Sequence, residues 1–157
     1  MYCCMLITEE GDTQWEIVKT YQKLEAILVN QFCKQDLSDI SGTRVTKTPK
    51  TGRVQFLAIE CESKRKQDVL KEIDSRVWKK LNGICKEKVV VDGGKSKQLS
   101  QFISDHDNDD GHVLYLPDIA NDCVVVHGER ERDVTTAAQE LKVRFCLYMR
   151  ACKVLCR

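Results

Sequence analysis

Apolar positions recur along the chain with two periods, and the order in which those periods alternate predicts the architecture. Tyr2 to Thr8 is an apolar run of strand length, closed by Glu9-Glu10-Gly11-Asp12. Thr13 then precedes Glu16 by three residues, the capping-box spacing in which each side chain satisfies a free backbone donor. Ile17, Tyr21, Leu24, Leu28 and Phe32 follow at steps of three to four, which predicts a helix from Thr13 to about Cys33. Asp36 to Gly42 reads as a loop with at most one short turn. Arg44 to Thr48 and Arg53 to Cys61 read as strands joined across Pro49-Lys50-Thr51-Gly52, a hairpin with turn residues at its tip. Val69, Leu70, Ile73, Val77, Leu81 and Ile84 then hold the helical period from Ser63 to about Cys85.

The same order returns. Lys88 to Asp92 contains Val89-Val90-Val91 and reads as a strand, and Lys95 to Asp105 as a helix with Leu99, Phe102 and Ile103 inward. His112 to Leu116 and Cys123 to His127 form a second expected hairpin across Pro117 to Asp122. Asp133 is a suitable N-cap for a final helix striped by Val134, Ala137, Leu141, Phe145 and Tyr148. Each hairpin carries one of the two prolines of the chain, and each is followed by a charged entry to a helix. The expectation is an α+β chain of two tandem strand-helix-strand-strand-helix units, residues 1–86 and 87–157, each with two helices over a small antiparallel sheet. Lys86-Glu87-Lys88 is the expected break between them.

That order is shared by the KH domain and the RNA-recognition motif. The segment from Cys123-Val124-Val125-Val126-His127-Gly128 to Asp133-Val134-Thr135-Thr136-Ala137-Ala138 resembles the last strand and helix of a KH-like unit. In tandem, such degenerate units resemble regions of the macrodomain-containing poly(ADP-ribose) polymerases and their Deltex-type ubiquitin-ligase partners. The resemblance implies KH-like packing, with RNA-recognition-like or ferredoxin-like packing as the alternative. Two departures bear on function. No Gly-x-x-Gly occurs, so the loop that brings a KH domain close to a phosphate backbone is missing. The strands that would stack bases offer at most Phe56. Nucleic-acid binding would then rest on charge, with little specificity and strong salt dependence.

Charge keeps that possibility open. The 157 residues carry a net charge of +1, distributed as −3 over residues 1–33, +7 over 34–97 and −3 over 98–157. Lys47, Lys50 and Arg53 surround the first hairpin turn, Lys64, Arg65 and Lys66 open the long helix, and Lys95 and Lys97 open the shorter one. These eight cations are the expected surface for RNA or single-stranded nucleic acid. The strand between Arg53 and Cys61 separates the first two groups by roughly 25–30 Å, so they form a stripe and not one patch. The competing expectation is a protein-assembly module, or one that self-associates, in which an RNA surface has been lost, within a larger ADP-ribosylation or ubiquitin-linked protein.

Composition narrows the remaining classes. Apolar residues make up 42% and charged residues 31%, enough for a core and too much hydrophobicity for a disordered chain. No apolar run approaches the roughly 20 residues that span a bilayer, and the amino terminus lacks a basic signal-peptide region, so a cytoplasmic or nuclear location without membrane partners is expected. Nine cysteines, an odd number with no CxxC pair, read as reduced and mostly buried thiols. No cofactor, metal or catalytic activity is expected. Gly93-Gly94-Lys95-Ser96 ends like a P-loop, but Val89 stands where its first glycine is required, which leaves at most a single phosphate on the helix start. An EF-hand begun at Asp105 would place Asp110 and Leu116 where glycine and glutamate are needed. A Cys-His pair at His127, or His127 with Asp118 or Asp122, is conceivable as a catalytic pair, and a histidine ending a buried strand is the simpler reading.

Overall fold

The computed structural model describes residues 2–12, 14–49, 55–107 and 111–146. The fold is α+β, with seven strands in two sheets and five α-helices among these residues. The chain divides into two compact units, Met1–Gly83 and Ile84–Arg157. No helix of the described residues is long and apolar enough to cross a membrane.

The first unit runs β1 (Tyr2–Glu9), β2 (Glu16–Tyr21), α1 (Lys23–Phe32), α2 (Lys34–Ser38), β3 (Thr43–Lys47), β4 (Leu57–Cys61) and α3 (Lys66–Asn82). A single 3-10 turn, Ser63–Arg65, leads into α3. The sheet order is β2-β1-β4-β3, with β1 parallel to β4 and the other pairs antiparallel. This mixed sheet corrects the expected antiparallel one. A register shift in β1 between Cys3 and Leu6 turns both Cys4 and Met5 inward, and both are fully buried. Leu57, Ile59 and Ile7 meet Val29, Leu37, Val69, Ile73 and Val77 in one core. Each such side chain contributes roughly 1.5–3 kcal/mol through removal from water.

The largest correction lies at residues 16–21, which form a strand and not the first half of a helix. Glu16-Ile17-Val18-Lys19-Thr20-Tyr21 has three β-branched residues in six, which lose side-chain freedom in a helix and fit a pleated sheet. Val18 and Tyr21 pack on the core while Ile17 faces outward. The helix starts only after Gln22, whose extended backbone makes the break. Thr13, the expected cap, lies outside the described residues. Lys34–Ser38 is a short helix where a loop is expected.

The second unit runs β5 (Cys85–Val90), α4 (Ser96–His106), β6 (Val113–Asp118), β7 (Cys123–Gly128) and α5 (Glu131–Phe145), the expected order. The sheet order is β5-β7-β6, antiparallel throughout. Val124 and Val126 of the central strand meet Leu99, Phe102, Val134, Ala138 and Leu141. Lys86-Glu87-Lys88 is inside β5 and is no break. Pro117 is not in the turn. It pairs with Val124 within β6, an edge strand, where a missing N–H can face away from the ladder. The turn itself is the 3-10 stretch Ile119–Asn121 closed by Asp122 at φ +45°. Asp133 is the third helical residue of α5, bonded by Arg130 Nε at 2.8 Å, and Arg130 takes the capping position. Tyr148 lies outside the described residues.

The two units share more than element order. Each places its last strand between two others, as β1-β4-β3 and β5-β7-β6. The strand that matches β5 in direction and in leading to a helix is β2, however. β1 is an added strand lying between β2 and β4.

Candidate interaction site

Among the described residues, four of the cations expected to form a stripe, Lys64, Arg65, Lys66 and Lys95, contact groups of their own chain. Lys47 pairs with Leu57 at one end of β4, and Lys64 to Lys66 follow Cys61 at the other. Lys50 and Arg53 lie outside the described residues. Lys64 Nζ is 2.9 Å from Glu62 Oε2, and that contact holds the Glu62 carboxyl below the usual range. Arg65 Nη1 donates to the Ser41 carbonyl and drapes over Gly42, whose φ of +72° and lack of Cβ make room for it. Lys66 pairs with Glu16, tying α3 to β2. Lys95 Nζ donates to the Arg144 carbonyl at 3.1 Å, and Lys97 is exposed on α4. Lys64, Arg65 and Lys66 therefore point to three different partners.

Other sequence candidates dissolve for similar reasons. Asp92 Oδ1 accepts from Gly94 N at 3.0 Å, so a carboxylate already fills the place of a phosphate at that helix start. Residues 108–110 of the acidic loop lie outside the described residues, and His106 stacks on Phe102 at 4.1 Å while its Nδ1 is 2.7 Å from the Phe102 carbonyl. No group of three or more His, Cys, Asp or Glu among the described residues could hold a metal ion. Asp118 pairs with Cys123, four residues along β7 from His127, which is about 13 Å at the strand rise and rules out a hydrogen-bonded pair. Asp122, in the turn beyond the same end, is no closer in strand register. Cys4, Cys33, Cys61 and Cys123 are buried, and burial pushes the thiols of Cys61 and Cys146 up, away from the reactive thiolate. Cys3, Cys152 and Cys156 have no described side chain.

One feature of the first unit was not foreseen from sequence. β1 and β4 run parallel and end side by side, with Glu9 opposite Cys61. Beyond their carboxyl ends the chain folds back through Gly11, at φ +82°, and Thr8 Oγ1 donates to the Gln14 carbonyl at 2.8 Å to pin the returning loop. Gly11 N donates to Glu60 Oε1 at 3.3 Å and Glu10 N to the Cys61 carbonyl at 3.1 Å. The result is a cleft of about 310 Å³ between this loop and the start of α3. Glu9, Asp12, Glu16, Trp15 and Lys66 are among its walls. The signal is present as Glu9-Glu10-Gly11-Asp12 with Trp15 close behind, but the helical spacing over residues 13–33 places Trp15 on a helix.

Both tryptophans of the chain belong to this unit, and each is 48% exposed, Trp15 at the cleft and Trp78 on α3. Ile17 on β2 is 64% exposed. No protein-family model, curated protein or solved structure matches the chain.

Proposed function

We propose that this chain is a non-catalytic interaction module whose partner is a protein. The observation that carries the reading is the exposure of both tryptophans on one unit, because tryptophan is costly to leave in water and is enriched where proteins bind one another. The engaged cations point the same way, since Arg65, Lys66 and Lys95 are held by their own chain. The order strand, helix, strand, strand, helix in the second unit supports descent from a KH-like unit, and a cytoplasmic or nuclear role within a larger ADP-ribosylation or ubiquitin-linked protein fits that descent. Weak, salt-sensitive RNA binding is the second reading, favoured by exposed Lys86, Lys88 and Lys97 on the second unit.

A peptide library selected against the intact chain, with parallel titrations of single-stranded and duplex RNA, separates the two. Selected peptides are expected to lose about tenfold or more in affinity to the Trp15→Ala, Trp78→Ala double variant. Failure to select any peptide, or peptides indifferent to both tryptophans, would overturn the proposal. So would micromolar RNA binding at physiological salt that Lys86→Glu with Lys88→Glu abolishes.

A further inference from the structure

We infer that the cleft at the carboxyl ends of β1 and β4 is a socket for one cationic side chain, arginine or lysine, from a segment of the partner. This deepens the protein-partner reading and depends on it. Charge complementarity carries the argument. Three carboxylates, those of Glu9, Asp12 and Glu16, line the cleft against a single ammonium, that of Lys66. Lys66 is paired with Glu16, so the two cancel and leave Glu9 and Asp12 as the surplus. One oxygen of Asp12 accepts from Gln14 N at 2.9 Å, which fixes the carboxylate in place. Trp15 also lines the cleft, and the electron-rich face of an indole attracts an ammonium or guanidinium.

The same set argues against other occupants. An anion would meet the surplus carboxylates, which outweigh the amides at the start of α3. Cys61 in the wall has its thiol pushed up by burial and offers little thiolate to react. The volume, about 310 Å³, is at the small end for a ligand cleft and leaves room for one long side chain. Thr8 Oγ1 donates to the Gln14 carbonyl at 2.8 Å, which ties β1 to the segment that carries Trp15.

The test follows the two indole N–H signals of the intact, isotopically labelled chain by NMR. The probes are a short peptide with one central arginine in a Gly/Ser frame, its lysine counterpart, and the version with citrulline, which keeps the shape and removes the charge. The arginine or lysine peptide is expected to move the Trp15 signal saturably and leave Trp78 in place. Citrulline should weaken the effect about tenfold or more, as should Glu9→Gln with Asp12→Asn, which leaves both side chains nearly isosteric. Equal shifts from arginine and citrulline peptides, or no Trp15 shift at millimolar peptide, would overturn the socket. A library-selected peptide that binds but moves only Trp78 would sink the socket and leave the protein-partner reading standing. If the library yields no peptide, that reading itself fails.

Discussion

His127 is buried in the central strand of the second sheet, between Lys86 on β5 and Leu114 on β6, and its Nδ1 has no hydrogen-bond partner among the described residues. Burial disfavours the charged imidazolium and outweighs a backbone hydrogen bond at Val125 that favours it, and Lys86 adds repulsion, so the group titrates below its ordinary range. The sign of the linkage follows. Above the unfolded value of about 6.5 both states are neutral, and the full stability is present. As pH falls from there, the unfolded chain takes up a proton that the folded one refuses, and stability is lost until the folded pKa is reached. Urea midpoints of the wild type should therefore fall between about pH 7 and pH 5 more steeply than those of His127→Gln. Equal slopes would mean that the imidazole is solvated and that its burial has no energetic weight.

At the level of elements, α3 shows how one helix divides its labour. Val69, Ile73 and Val77 recur every four residues and face the sheet, all essentially inaccessible, while Trp78, next in sequence, is turned outward. Ile73→Ala should cost about 2–5 kcal/mol by chemical denaturation, from lost burial and a residual cavity. Trp78→Ala should cost less than about 1 kcal/mol and act instead on partner binding. A large stability loss at Trp78 would show that its exposed ring is structural after all. The contrast with β2 is instructive. Ile17, Tyr21, Leu24 and Leu28 have helical spacing, but the first two belong to a strand and the last two to a helix. Two short elements laid end to end counterfeited one long period.

For the whole molecule, the two hydrophobic cores share no residue. The second is centred on Phe102, whose ring meets Tyr115 and Phe145 edge-on at 5.6 and 5.5 Å. An independent core predicts independent folding, though a unit of this size buries a smaller fraction of its surface and will be only marginally stable. Residues 84–157 expressed alone should give a dispersed amide spectrum and a single cooperative melt. A collapsed spectrum without cooperativity would show that the division of the chain is not a division of stability.

Near-neighbour patterns specify the local choices: the α+β class, the order of elements in the second unit, and the long third helix with its inward face, whereas Ile17 and Leu24, read as inward, are exposed. These depend on periodicity and turn chemistry, which act between near neighbours. Sheet order, the insertion of β1 beside β4, and the fate of each cation were decided only by tertiary structure. Glu16 and Lys66 are distant in the chain, as are Arg65 and the Ser41 carbonyl, and nothing in local spacing tells a lysine whether a carboxylate will be waiting. The cleft is legible for the same reason only after folding, since it exists because two parallel strands end together and a loop returns over them.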